Sequence, residues 1–280
     1  MDAGSNTVVA GGPPAVDGVT AEADDAWPMG EVFRDIARGG LAGLVAGILV
    51  AGLGGRLVMR LAALIVPSAT GFQTENGNRI GEITASGSLG LIVFVGLLGA
   101  LVFASVWVAI APWLPGRGLV RGLVAMPIAV ALGSFGLISS ENPDFAVLEH
   151  NPLVVASLIL LVASAAPAMA IADGWFDRRL PHASSATSTL ASVYALLTVI
   201  GVGFGGLLLI QAALGEVSRP LGLTVIAVGI ATLIWWSQRM RGQAAPSRAL
   251  VLAARSILLL GTVAGLVVLL PELTGALGLD

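Results

Sequence analysis

The residues with the clearest chemical potential are two arginines inside the first long apolar segment. Arg56 and Arg60 lie within the run GGLAGLVAGILVAGLGGRLVMRLAALIVP, residues 39–67. Residues four apart share one face of a helix. An arginine at membrane depth costs at least about 2.5 kcal/mol, so it normally faces a charged partner or a wet cavity. The pair therefore predicts ion pairing, the binding of an anion or, if it lies at the end of the hydrocarbon core, snorkelling into the outer headgroups.

Polar residues that could meet these arginines come from two connections on the same predicted face. The first follows the segment directly, and the second is SSENPDFAVLEHNP, residues 139–152. The Asn-Gly and Asn-Pro steps in these connections favour tight turns that fold over the helices. The candidate partners are Thr74, Glu75, Asn76, Asn78, Arg79 and Glu82 in the first connection, and Glu141 and Asp144 in the second.

These residues must be positioned by membrane helices. The chain has 280 residues, of which 56% are hydrophobic and 11% charged, and several apolar runs reach about 20 residues, enough to cross a hydrocarbon core of about 30 Å. We predict an all-α, polytopic transmembrane bundle over residues 31–280. Residues 1–30 lack a periodic apolar face and are predicted to form a disordered, acidic cytoplasmic tail rich in Ala, Gly and Pro. The predicted spans are 37–66, 87–111, 118–140, 153–173, 188–214, 220–238 and 249–271.

Arginine distribution predicts the orientation, because cytoplasmic flanks collect basic residues. Alternate flanks of the seven spans divide the relevant arginines nine against two, which predicts an amino terminus inside and a carboxyl terminus outside. The tryptophans, which favour the headgroup level, agree with this assignment. All six are predicted at inner ends of spans: Trp27, Trp107, Trp113, Trp175, Trp235 and Trp236.

Small residues recur every fourth position along the first span. Helices in lipid associate through small residues that let their backbones approach. This stripe predicts a central helix, and a glycine cluster at residues 201–206 of the fifth span is its predicted partner. Pro127 and Pro167 are expected to kink the third and fourth spans. The stripe consists of Gly39, Gly43, Gly47, Ala51 and Gly55.

Several kinds of chemistry are excluded or unsupported. The chain contains no cysteine, which rules out disulfides and thiolate chemistry, and its basic residues are all arginine, which rules out a Schiff base. His150 and His182 fall on opposite predicted faces and cannot share a metal ion. Ser134 has no histidine in any span to activate it and is interpreted as a packing residue.

Three motifs give the chain a family resemblance. They are Gly-Gly-Arg-x-x-Met-Arg at residues 54–60, Thr-Glu-Asn-Gly at 74–77 and Gly-Glu-Ile-Thr at 81–84. The pattern resembles that of uncharacterised bacterial multi-pass membrane proteins over about the first 180 residues. The resemblance implies a bacterial cell membrane and no particular activity.

Three functional interpretations remain open at this point. The first is a non-enzymatic accessory or structural subunit with an ion-paired outer cap. The second is a carrier or binding protein for an anionic solute or lipid headgroup at Arg56 and Arg60. The third is a membrane enzyme with Glu75 or Glu82 as general base. The expected partners are the bilayer and other membrane subunits bound through glycine-rich helix faces, with no cofactor, metal or nucleic acid.

Overall fold

The described part of the chain is helical. The computed structural model describes residues 28–74, 79–82, 89–134, 137–214 and 219–279. These residues form helices joined by short connections, and their one β-type pairing is an isolated bridge between Gln73 and Arg79. The predicted all-α class is therefore confirmed.

Seven apolar helices account for most of these residues. Six of them are long and apolar enough to cross a membrane, whereas α3 has 15 residues and spans only about 22 Å. The predicted third span continued to residue 140, but the helix ends at Gly133, and glycine favours the helix less than other residues except proline. The helices are α1 Pro28–Ile65, α2 Leu91–Trp113, α3 Leu119–Gly133, α4 Pro152–Asp177, α5 Ser188–Leu214, α6 Arg219–Met240 and α7 Arg248–Ala276.

The first helix begins earlier than its predicted span. It starts at Pro28, a residue type favoured in the first helical turn, so residues 28–30 belong to the helix and not to the predicted tail. The polar turn that contains Arg34 and Arg38 is thus part of the same 38-residue helix as Arg56 and Arg60. The rest of the predicted tail, including Trp27, lies outside the described residues.

Contacts between helix ends define two ends of the bundle. Arg38, near the start of α1, contacts Asp173 near the finish of α4, at what we call the proximal end. Glu272, near the finish of α7, accepts hydrogen bonds from Ser140, which follows α3, at the distal end. Successive helices therefore run in alternating directions between the two ends. Further proximal contacts are Arg121–Asp173, Arg239–Asp35 and Arg255–Trp113, and further distal contacts are His150–Ala276 and Ser68–Glu149.

The small-residue stripe of α1 packs against α2. A Cβ built on Gly43 would lie 2.7 Å from the main-chain oxygen of Ala100, and one on Gly47 would lie 2.6 Å from Ala100 Cα. Farther along, the Cβ of Ala51 lies 3.2 Å from a Cβ built on Gly99. The two backbones meet because no larger side chain separates them.

The prediction that the glycine cluster of α5 meets this stripe is therefore wrong. Gly201 lies beside Ile36, which is not part of the stripe, and Gly203 and Gly206 have no neighbouring atom within 4 Å of a built Cβ. α5 instead meets α1 through side chains, as in the hydrogen bond of 3.3 Å from Thr198 to the main-chain oxygen of Phe33.

A change of helix type keeps the stripe on one side of α1. In a regular α-helix, positions four apart drift by about 40° per step, so five such positions would turn through about 160°. Residues Gly47–Gly54 form a π-helix, whose wider turn contains more residues and reverses the drift. The opposing segment of α2, Leu91–Gly96, is also a π-helix.

Much of the outer surface of the bundle is apolar, as expected for contact with lipid chains. Large aliphatic side chains project from several helices with little protein around them. Examples that are each at least 65% exposed are Leu57, Val199, Leu252 and Leu260.

Candidate functional site

Arg56 is buried at the distal end, where α1 approaches the connection to α2. Its side chain is 7% exposed, and Nη1 lies 3.5 Å from the main-chain oxygen of Glu82. Its Nε is buried and has no hydrogen-bond partner among the described residues. The contact is thus with a main-chain carbonyl, where the sequence predicted carboxylates.

Arg60 holds the same connection one turn farther along. Its Nη1 donates a 2.8 Å hydrogen bond to the main-chain oxygen of Gly81. The adjacent Ile80 is 2% exposed and packs against Ala62 and Ala63 of α1. Its amide donates to the oxygen of Phe72 at 2.9 Å, which closes the loop. Together these contacts fasten the connection onto α1.

The carboxylates predicted to pair with these arginines lie elsewhere or outside the described residues. Glu82 pairs with Arg79 at 3.5 Å, and both side chains are largely exposed. Glu141 is exposed in the connection between α3 and α4, and Asp144 opens the short helix Asp144–Val147 of that connection. Thr74 is the last described residue before a gap at residues 75–78, so the predicted site residues Glu75, Asn76 and Asn78 lie outside the described residues. The structure therefore brings together Arg56, Arg60, Arg79 and Glu82.

The proximal end carries a larger charged cluster that sequence reasoning did not assign as a site. Arg38 Nε donates a 2.8 Å hydrogen bond to Asp173 Oδ1, and its Nη1 bonds Asp177. Arg121, at the start of α3, approaches the other oxygen of Asp173 at 3.8 Å. Asp173 is buried, so two arginines compensate a carboxylate that is removed from water.

Arg34 closes the end of α4 from within the protein. Its side chain is 4% exposed, and its Nη2 donates to the main-chain oxygens of Asp177 at 2.8 Å and Leu180 at 3.1 Å. Its Nε also lies within 3.2 Å of the oxygen of Pro181. The last carbonyls of a helix have no partner within it, and this guanidinium supplies a donor to that of Asp177 as well as to two carbonyls of the connection that follows.

Two further contacts bind the connection after α4 and the helix α6 to α1. Glu31 accepts a 2.7 Å hydrogen bond from the amide of Ala183, which follows α4 in the chain. Arg239, near the end of α6, forms an ion pair with Asp35. Four helices are thus joined at this end through alternating positive and negative side chains: α1, α3, α4 and α6.

A cavity of about 230 Å³ opens within this cluster, and we call it the proximal cavity. Arginine and aspartate side chains line one part of it and three indole rings line another. Trp107 is 3% exposed, and its Nε1 has no hydrogen-bond partner in the described part of the chain. The charged lining residues are Asp35, Arg38, Arg121, Asp173 and Arg239, and the indoles are those of Trp107, Trp235 and Trp236.

Two other cavities are apolar. One of about 240 Å³ is lined largely by α2, α5 and α6, and one of about 260 Å³ lies mainly among α2, α3 and α4. Gln211 is among the few polar residues on their walls. Arg56 and Arg60 line none of these three cavities.

A sequence signal for the proximal cluster existed. Arg34 and Arg38 are four residues apart at the start of one long helix, and Asp173 and Asp177 are four apart at the end of another. This spacing places each pair on one helix face, and alternating helix directions bring the two faces to the same end. In the sequence, these arginines were evidence only for which end of the spans faces the cytoplasm.

Comparison with known proteins adds no relative. No protein-family model matches the chain, and neither does any curated protein or solved structure. In the described residues, no group of three His, Asp or Glu side chains is arranged to hold a metal ion. The proposals about function therefore rest on the geometry of the described residues.

Proposed function

We propose that the chain is a seven-span protein of a bacterial cell membrane, with its amino terminus in the cytoplasm. The alternating directions of the seven helices support seven crossings, because contacts at both ends include α3 or the residues next to it. The arginine-rich flanks and the described tryptophans gather at the proximal end, which supports its assignment to the inside. The short α3 packs on one side against neighbouring helices, through Gly122 on Pro167 of α4 and Ala131 on Gly265 of α7.

Labelling of single cysteines tests this topology without background, because the chain contains no cysteine. Glu141→Cys should react with a membrane-impermeant maleimide on intact cells. Gly242→Cys, in the turn between α6 and α7, should react only after permeabilisation. Reaction of Glu141→Cys only after permeabilisation would contradict the proposed topology, because it requires either that α3 does not cross or that the whole bundle is inverted.

We propose that within the membrane the protein is a non-enzymatic accessory or structural subunit. The observation that carries this proposal is the attachment of the first distal connection to α1. Arg56 and Arg60 both donate to main-chain oxygens of that connection, at Glu82 and Gly81. A fixed distal surface of this kind suits a contact with another subunit better than it suits turnover of a substrate.

The proposed partner face on the helices is that of α5. Only 11% of the residues in its most apolar 18-residue stretch are buried, a smaller share than in any other candidate span. Gly203 is exposed and has open space beside it, which would allow a second helix to approach closely. The expected partner is therefore another membrane helix.

Size measurement in mild detergent tests the subunit proposal. The tagged protein, extracted gently, should migrate as a complex larger than one chain. Gly203→Phe should release the monomer while its helical circular dichroism stays unchanged. The control is Leu252→Phe, because Leu252 lies on the exposed side of α7. A monomer in the unmodified protein would overturn the proposal.

A second candidate function rests on Arg56 alone. Its Nε is buried and unpartnered among the described residues, which favours an anionic solute or lipid headgroup at the distal end. Mass spectrometry of small molecules that copurify should then find a stoichiometric anion, and Arg56→Gln should abolish it. Equal amounts in both proteins would exclude this function.

The contact between motifs supports the proposed family grouping. The Gly-Gly-Arg-x-x-Met-Arg segment supplies Arg56 and Arg60, and their acceptors are in the Gly-Glu-Ile-Thr segment. Two motifs that are distant along the chain thus form one structural unit. We propose that the bacterial multi-pass proteins with this pattern share it.

A further inference from the structure

The proximal cavity contains guanidinium groups with donors to spare. A guanidinium has five N–H donors. The described contacts of Arg239 use only Nη1, and those of Arg121 use Nε, at 3.3 Å from the oxygen of Gly116, and Nη1, at 3.8 Å from Asp173. The side chains of Arg239 and Arg121 are 30% and 25% exposed, so the cavity communicates with the surface.

The charges on the cavity wall do not cancel. Three arginines and two aspartates line it, which leaves one positive charge. Behind the wall, Arg34 lies between two carboxylates, those of Asp177 at 3.3 Å and Glu31 at 3.9 Å. A ligand with a single negative charge would neutralise the cavity without displacing the ion pairs that join the helices.

The aromatic wall adds a second requirement. Gly39 and Trp107 both line the cavity. Trp107 Cδ1 lies 3.9 Å from a Cβ built on Gly39, so the pyrrole edge of the indole faces Gly39. Its Nε1–H is buried and has no acceptor in the described part of the chain. The cavity therefore combines cationic donors, a neutral N–H donor and apolar indole surface.

Phosphate oxygens are preferred acceptors for arginine, which can bind them through two parallel N–H groups. A phosphodiester carries one negative charge, equal to the surplus on the wall. A volume of about 230 Å³ is below the usual range for drug-sized ligands, about 300–1,000 Å³, and suits a headgroup better than a whole molecule. Tryptophan at helix ends is typical of the headgroup level of a bilayer.

From these observations we infer that the proximal cavity binds the phosphodiester headgroup of a membrane phospholipid. Arg38, Arg121 and Arg239 hold the phosphate, and the acyl chains leave between the helices into the bilayer. This site is at the opposite end from Arg56 and is independent of the proposed subunit function.

Native mass spectrometry of the full chain tests the inference. The protein is delipidated in detergent and then titrated with phosphatidylglycerol, with phosphatidylethanolamine or with diacylglycerol, which lacks the phosphate. One phospholipid per chain should bind in each of the first two titrations, and diacylglycerol should not. Equal binding of diacylglycerol would overturn the inference.

Matched variants locate the site. Arg121→Gln should weaken phospholipid binding about tenfold, as expected for the loss of one hydrogen bond to a charged group. Arg117→Gln, four residues earlier and exposed, should leave it unchanged. Pro246→Trp fills the cavity from the connection before α7 and keeps every arginine, so it should also weaken binding. Unchanged binding in both Arg121→Gln and Pro246→Trp would overturn the site.

Competition with inorganic phosphate separates the lipid from a soluble source of the same group. Millimolar phosphate should leave the bound phospholipid in place, because the free anion lacks the contacts of the glycerol and chains. Binding of phosphate to the delipidated protein with no phospholipid bound at any concentration would show that the ligand is soluble, and would overturn the inference.

Discussion

Arg38 Nε lies 2.8 Å from Asp173 Oδ1 and joins the start of α1 to the end of α4. The carboxylate is buried, and its other oxygen faces Arg121 at 3.8 Å. A carboxylate in such a place depends on its partners, because loss of one partner leaves an uncompensated charge away from water. The stability of the proximal end therefore depends on this pair more than on the exposed charges around it.

Asp173→Asn should destabilise the protein by about 3 kcal/mol, the lower end of the range for removing one member of a buried pair, since Arg38 stays 18% exposed. The measurement is the free energy of unfolding by dodecyl sulfate in mixed micelles. The double variant with Arg38→Gln should lose less than the two single variants together, because the pair is coupled. Additive losses would contradict a direct interaction.

Gly47→Ala should destabilise the contact of α1 with α2 by about 1–3 kcal/mol, the usual cost of overpacking. The added methyl would lie 2.6 Å from Ala100 Cα, and neither backbone can move freely. The control is Gly40→Ala, because a Cβ there meets nothing within 4 Å and alanine favours the helix. The same unfolding assay compares the two variants, and similar losses would exclude close packing at Gly47.

Thr232→Val should destabilise the proximal half by about 1–3 kcal/mol, because it leaves buried polar groups without partners. The hydroxyl accepts from Trp113 Nε1 at 3.0 Å and donates to the oxygen of Ala109 at 2.7 Å. Trp113 fluorescence should shift when its N–H loses the acceptor. Thr274→Val, whose exposed hydroxyl bonds Pro271, is the matched control and should be neutral.

Arg60→Gln should loosen the first distal connection. Without the bond to Gly81, the amide of Ile80 should exchange with deuterium several times faster, although it still bonds Phe72. Arg79→Gln should change exchange little, because its 3.5 Å pair with Glu82 is exposed and contributes about 0–1 kcal/mol. Unaltered exchange in Arg60→Gln would mean that packing alone holds the loop.

Sequence patterns predicted the helical class because long apolar runs have few alternatives in a membrane. They also predicted that Arg56 and Arg60 meet the connection that follows them, since few polar groups are nearby. The sequence does not indicate the acceptors of these two arginines, because any main-chain carbonyl can accept from an arginine and a sequence differs only in its side chains. The bond from Arg60 to Gly81 illustrates this limit.

Other features depended on tertiary packing. The π-helix at Gly47–Gly54 has no composition that separates it from an α-helix, yet it decides which helix the stripe meets. Small residues marked both α1 and α5 in the sequence, and only the tertiary contacts show that the stripe of α1 meets α2 and not α5. The proximal cluster likewise joins four helices, so no single segment could indicate it.

The ion pair between Arg239 and Asp35 has a consequence for the order of assembly, because 204 residues separate its members along the chain. During synthesis, α1 enters the membrane long before the ribosome reaches α6. Through the insertion of the four intervening helices, the described cationic partners of Asp35 are Arg34 and Arg38 of its own helix, at 3.9 and 3.5 Å. The proximal network is therefore completed late in biogenesis, and a chain interrupted before α6 would reach quality control without the link between α1 and α6.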